Sequence, residues 1–191
     1  MHNNRPLNLK AKLVIIGDSC VGKTALLQAF LSDGSQFPKN YLITSNGDIS
    51  TKQITVPNSQ DSVELFIIDC MGKESFCDIT ARFWNQPSAA LVVYDCTNPL
   101  SLSSAPKWIE RLRKENGNLN FPIVLVGAKC DLIEAGHSAV DAEEINVVCR
   151  QYDIEHASTS AKDFKNVDEV FNLIAKDLHR RFKEKASFLS T

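Results

Sequence analysis

The 191-residue sequence has no apolar run approaching the roughly 18 residues that would span a bilayer. Its longest, Leu13-Val14-Ile15-Ile16 and Ala89-Ala90-Leu91-Val92-Val93, are strand-sized. No apolar stretch with a small-residue cleavage site precedes Lys10, so no secretory leader is expected. Charge of one sign is not in excess: 21 Lys and Arg against 23 Asp and Glu leave a net charge of -2. The basic stripe that a nucleic-acid binder needs is missing, and no nucleic-acid partner is expected. The six cysteines, Cys20, Cys70, Cys77, Cys96, Cys130 and Cys149, show no C-x-x-C spacing. That argues against a disulfide framework and for free thiols in a reducing compartment, while His2, His137, His156 and His179 lack zinc-site spacing with them. Ser187-Phe188-Leu189-Ser190-Thr191 offers no thiol to prenylate, so no direct lipid anchor is expected. Only seven Pro and eight Gly accompany 43% apolar and 23% charged residues, which excludes collagenous, repeat-based and disordered chains.

What is present is an alternation. Strand-length apolar runs at 12–16, 89–94, 122–127 and 153–157 alternate with helical stretches after Lys23, at 103–115, near 139–151 and from 166 to about 185. This is the pattern of an α/β sheet covered on both faces. Two further runs, 49–56 and 63–68, bracket Pro57-Asn58-Ser59-Gln60-Asp61-Ser62, too short for a crossover helix, so they should form an antiparallel hairpin. A polar loop from about Gly34 to Gly47 has little periodicity and reads as either functional or simply solvated. In the last helical stretch Val167, Val170, Phe171, Ile174, Leu178 and Phe182 recur at steps of three and four, a face for docking on the sheet. Its charged distal end overruns that stripe.

Gly17-Asp18-Ser19-Cys20-Val21-Gly22-Lys23-Thr24 fits G-x-x-x-x-G-K-[ST] in full and lies between a buried strand and a helix. Such a loop wraps its N–H groups around phosphates, and the following helix points its positive end at the same anion. Lys23 is placed to reach the terminal phosphates, and Thr24 to offer its hydroxyl to Mg²⁺. Asp69-Cys70-Met71-Gly72 leaves the third strand; Asp69 is a metal holder, directly or through water, and the Gly72 N–H a phosphate donor. Gly127-Ala128-Lys129-Cys130-Asp131 follows the fifth strand. There Asp131 can accept paired hydrogen bonds from the ring N–H and exocyclic amine of guanine, a donor pair that adenine lacks. The stem of Lys129 can cover one face of the base, and Ser160-Ala161-Lys162 can close the other side.

In order and spacing these motifs resemble the Ras superfamily and its Rab branch. Ser32-Asp33-Gly34, the segment Asp61-Ser62-Val63-Glu64-Leu65-Phe66-Ile67, Gly72-Lys73-Glu74 and the unlipidated tail are similar, more narrowly, to the Rab-like small GTPase subunits of the intraflagellar transport machinery. The resemblance implies an α/β P-loop GTPase fold, with a six-stranded, mostly parallel sheet, one antiparallel strand and about five helices. It implies a GTPase domain over 9–185, with short tails at 1–8 and 186–191, that takes GTP or GDP with Mg²⁺. It also implies a heterodimer with a small jelly-roll subunit inside intraflagellar transport complex B, in the cilium or flagellum, the basal body and the cytoplasm.

Mapped onto this sequence, the metal-sensing threonine of the first switch is Thr44, in Thr44-Ser45-Asn46 where the family has T-I-G. The position of the family's water-orienting glutamine is Lys73, and the asparagine of the guanine motif is Ala128. A protonated lysine has donors but no acceptor, so it cannot take a hydrogen from the attacking water, and slow turnover is expected. Lys73 is free instead to pair with a phosphate or Glu74, or to stay in solvent. Alanine at 128 removes an amide, with an expected loss of about 1 to 2 kcal/mol in guanine binding. Three other functions stay open on the residues: an efficient Rab-like GTPase in vesicle trafficking, a P-loop nucleotide kinase, and a scaffold indifferent to nucleotide.

Overall fold

The computed structural model describes residues 6–38, 48–72 and 81–189. Thr44 and Lys73 lie outside the described residues, as does Cys77. A six-stranded sheet runs in the order β2-β3-β1-β4-β5-β6. Its strands are β1 (Asn8–Ile16), β2 (Asp48–Thr55), β3 (Ser62–Asp69), β4 (Ala89–Asp95), β5 (Ile123–Ala128) and β6 (Glu155–Ser158). β2 pairs antiparallel with β3, as the short polar connection requires, and every other pairing is parallel. The described helices are α1 (Lys23–Leu31), α2 (Pro99–Glu115), α3 (Cys130–Glu134), α4 (Ala142–Tyr152) and α5 (Val167–Leu189), with a 3-10 turn at Ala81–Trp84.

Several boundaries differ from the sequence expectation, each for a local reason. β1 begins at Asn8 rather than 12 because residues 8 to 11 pair with Ser62 to Leu65 of β3. α2 begins at Pro99 rather than 103: the Asn98 side chain accepts the Leu100 N–H at 3.1 Å, and proline at the first position needs no amide. α4 starts after Asp141, whose carboxylate accepts the Glu143 N–H at 2.8 Å, and ends where Asp153 turns left-handed at φ +52. That turn delays β6 to Glu155. The five-residue helix α3 was not expected, since so short a segment carries no readable period.

The pleat divides the core. Leu13, Ile15, Leu65, Ile67, Leu91 and Val93 face α1 and α5. Their neighbours Val14, Ile16, Ile68, Ala90 and Val92 face α2 and α4. The stripe of α5 packs as read over its first part, with Val167, Val170, Phe171, Ile174 and Ala175 fully buried and Leu178 partly buried against them. Phe182, expected on the same docking face, is 43% exposed because the helix has by then run past the core. Phe171 stacks on Phe30 of α1 with ring centroids 3.6 Å apart and planes within 6°. Lys52 caps the other end of that contact. Its Nζ lies 4.3 Å from the Phe30 ring centroid and donates to the Phe30 carbonyl at 2.5 Å and to Asp33 at 2.6 Å. The lysine cation thus meets the negative C-terminal end of α1.

Because Phe171 joins both helices to the sheet, Phe171→Ala should lower unfolding free energy by about 3 to 5 kcal/mol, read from the denaturant midpoint at unchanged slope. A loss below 1 kcal/mol would mean that the two helices do not rely on this stack.

Candidate functional site

The carboxyl ends of β1, β3, β4 and β5 meet at one edge of the sheet, and the loops that leave them build the site. β1 runs into Gly17 at φ +139, where a Cβ would lie 2.1 Å from the Val93 carbonyl oxygen. Only glycine lets the loop lie so close on β4. The loop then exposes Ser19 and Cys20, buries Val21, and enters α1 through Gly22 at φ +111, with no side-chain cap on the first N–H groups of that helix. The first N–H groups of a helix have no intrahelical acceptor and point out of its positive end, toward where an anion would sit.

Lys23 is 7% exposed, and its Nζ donates to the carbonyls of Gly17 at 2.9 Å and Asp18 at 2.6 Å. Burial lowers its ammonium from the usual lysine value, against the opposing charge of Asp69. Thr24 Oγ1 donates to Asp69 Oδ2 at 2.5 Å, which joins α1 to the end of β3. Gly72 closes the group: a Cβ there would lie 2.5 Å from both the Asp18 carbonyl and Lys23 Nζ. The residues selected for phosphate and metal therefore converge, with Thr44 and Lys73 outside the described residues. Among the described residues no group of three or more His, Cys, Asp or Glu could hold a metal ion; of the three residues expected to hold one, Thr24 and Asp69 are described.

Beside this loop opens a cavity of about 220 Å³ lined by Gly22, Phe37, Lys129, Asp131, Ala161 and Lys162 among others. Lys129 is left-handed at φ +65, and its Nζ donates to the Cys20 carbonyl and to Asp95 Oδ2, each at 2.7 Å. Burial by itself would raise the Asp95 carboxyl, but hydrogen bonds from Lys129 and Thr97 outweigh it and hold the group below the usual carboxylate value. Asp131 Oδ1 accepts Ser160 Oγ at 2.8 Å. Ser160 is fully buried and stands behind Asp131 rather than in the cavity wall. The Cys130 N–H donates to the Thr159 carbonyl at 3.0 Å, which ties the two base-side loops together.

Three contributors escaped the sequence reading. Phe37, which shares the polar loop with Tyr41, is 48% exposed yet lines the cavity; nothing in its local spacing marked it. Asp95 pairs with Lys129 across 34 positions. Trp108 of α2 donates its Nε1–H to Asp18 Oδ1 at 2.7 Å across 90 positions. Neither of these last two pairings leaves a mark in local spacing.

Comparison with known proteins agrees with the geometry. The Ras family profile matches residues 12–180. The chain is 40% identical over 185 residues to an intraflagellar transport protein 27 homolog of Mus musculus, covering 97% of this chain and 98% of that protein. It is 41% identical over 179 residues to the corresponding Homo sapiens homolog, covering 94% and 95%. To the Ras-related protein Rab-19 of Bos taurus it is 34% identical over 171 residues, covering 89% and 76%. The chain belongs to the Ras family of small GTPases, as a Rab-like member that closely matches the intraflagellar transport protein 27 homologs.

Proposed function

We propose that the chain is a guanine-nucleotide switch with slow intrinsic hydrolysis, acting as a regulatory and structural subunit of intraflagellar transport complex B in cilia. The observation that carries the reading is the convergence of Lys23, Thr24 and Asp69 beside a cavity walled by Asp131. The residues fit the ligand: the absence of a Cβ at Gly17 and Gly72 lets the loop press on Val93 and lets the exit of β3 approach Lys23 Nζ, and the donor set suits an anion with a hard cation. When bound, GTP would supply the γ-phosphoryl group that distinguishes the two states of a switch, and Mg²⁺ would neutralise phosphate charge.

In this reading the loop amides and Lys23 bind the phosphates, and Thr24 and Asp69 share Mg²⁺ with Thr44. Gly72 offers its N–H to the terminal phosphate. Asp131 accepts the paired guanine donors, its carboxylate aimed by Ser160. Phe37 and the Lys129 stem cover opposite faces of the base, and Ala161 and Lys162 close its edge. Lys73, without an acceptor, leaves the attacking water poorly oriented. A nucleotide-kinase reading is weakened by its arginines. Arg111 lies over the Trp84 ring, Arg113 donates to the Tyr152 carbonyl, and Arg150 pairs with Glu143. A scaffold indifferent to nucleotide would have no use for the Lys23 and Thr24 arrangement.

For the partner, the support lies on α5. Beyond its buried stripe, Phe182 is 43% and Phe188 81% exposed. These aromatics form a docking face for the small jelly-roll subunit of a constitutive heterodimer, remote from the switch segments around Thr44 and Lys73.

Titration with labelled GTP, GDP and ATP in Mg²⁺ should give guanine nucleotides about a hundredfold or more tighter than ATP. Lys23→Ala should lose most of that binding, and Asp131→Asn should weaken it about tenfold or more. Equal affinity for ATP would sink the guanine assignment. In single-turnover assays the parent chain should hydrolyse GTP slowly and Lys73→Gln faster; a parent rate already matching efficient Ras-like enzymes would remove the proposed defect. Pull-down of the small subunit should fail for a folded Phe182→Ser, Phe188→Ser double variant and persist for Lys23→Ala. Retention by the double variant would put the interface elsewhere.

A further inference from the structure

The guanine-side loop departs from its family pattern at Ala128, whose methyl group offers no hydrogen bond to the phosphate loop. The link between them is made by the next residue. Lys129 Nζ donates at 2.7 Å to the Cys20 carbonyl of the phosphate loop and at 2.7 Å to Asp95 Oδ2 at the end of β4. One ammonium thus joins the ends of β4 and β5 to the loop that follows β1.

Asp95 is itself held from behind. Its Oδ1 accepts the Thr97 N–H at 2.9 Å and Thr97 Oγ1 at 2.7 Å, and its own N–H donates to Ser101 Oγ at 3.0 Å. Its side chain is 13% exposed against 34% for Lys129, so the carboxylate is the fixed partner and the lysine the adjustable one. Asp95 does not line the cavity, whereas Lys129 does. Any influence of Asp95 on a base in that cavity therefore passes through the lysine.

We propose that Asp95 is a positioning residue for the base: by fixing the Lys129 ammonium against the Cys20 carbonyl, it holds the lysine stem along the cavity wall. It thereby braces the loops where position 128 supplies no amide. The inference rests on the guanine-nucleotide reading above. A carboxylate suits this task better than a neutral acceptor, because it adds the attraction between opposite charges to the hydrogen bond that the ammonium donates. The half-buried ammonium keeps the pair sensitive to salt.

The test uses the full chain loaded with N-methylanthraniloyl-GDP in Mg²⁺, with release followed after a chase of unlabelled GDP. Asp95→Asn keeps the shape of the side chain and removes its charge; release should quicken about tenfold. Lys129→Met keeps the stem without the donor and should release at least as fast. Adding Asp95→Asn to Lys129→Met should then change nothing further, the signature of two residues acting as one. Unchanged release in a folded Asp95→Asn chain overturns the proposal. So does an equal acceleration by Asp95→Asn in the Lys129→Met background, which would assign its effect to the Thr97 turn. If thermal melting shows Asp95→Asn unfolded, Lys129→Met decides alone, and unchanged release there overturns it. A parent chain that takes up no labelled GDP fails at the loading step, and overturns the guanine reading together with this inference.

Discussion

A Cβ on residue 17 would lie 2.1 Å from the Val93 carbonyl oxygen, and the close approach that its absence permits governs the whole site. With the chain pressed on β4, the carbonyls of Gly17 and Asp18 turn toward Lys23 and hold its ammonium at 2.9 and 2.6 Å. Asp18 in turn meets Gly72, at the exit from β3, and through its carboxylate Trp108 of α2. A side chain at position 17 would have to push the loop off β4, and each of these contacts would move with it. The buried lysine is tolerable for the same reason: its charge is met by carbonyl dipoles and by Asp69, so burial lowers its pKa without leaving it unsolvated.

The parts legible in the sequence were those whose physics is local. Eight consecutive residues define the phosphate loop because glycine is needed at two fixed backbone positions, and a six-residue polar connection dictates a hairpin because no helix fits in it. The period of three and four in α5 reported its buried face directly, since Val167, Val170, Phe171 and Ile174 all lie at 0% exposure. Boundaries failed where a cap or a partner strand decided them: Asn98 for α2, Asp141 for α4, and β3 for the first four residues of β1. The site itself was legible as a set of residue types but not as a network. Lys129 and Asp131 were found from their spacing, whereas Asp95, Trp108 and Phe37 enter only because the fold folds distant chain back on the same edge.

At the cavity, the contact between the β5 loop and the phosphate loop is of a kind different from what an amide at position 128 would make. An amide at position 128 would be neutral, short and insensitive to salt. The bridge observed is an ammonium shared between a carbonyl and a carboxylate, longer in reach and carried on a flexible stem. Such a bridge needs a rigid anchor, and the two Thr97 bonds and the Ser101 contact provide it. The start of α2 is thereby tied to the base side through Asp95 and, one turn and more further along, to the phosphate loop through Trp108. A shift of α2 would be felt at both halves of the nucleotide site.

The distal part of α5 is pinned at the other end of the molecule. Asp61, before β3, accepts the Leu7 N–H at 2.8 Å and His179 Nε2 at 2.7 Å, and pairs with Lys183 at 3.0 Å. The Leu7 N–H and the two α5 side chains hold the Asp61 carboxyl well below the usual carboxylate range, so it stays ionised. Leu7 precedes β1 and the phosphate loop follows it, so the nine residues of β1 separate the two regions by about 30 Å. Phe182 and Phe188 belong to the Asp61 end. A partner seated there has no direct contact with Lys23, Thr24 or Asp131, and it can sense the nucleotide only if β1, β3 or α5 moves as a unit. Those elements carry many fully buried residues, among them Leu13, Ile15, Leu65, Ile67, Phe171 and Ile174, and their packing resists such movement. A constitutive contact at the helix end and a nucleotide-sensitive one at the loop edge are therefore compatible on the same small sheet, because its rigid strands keep them apart.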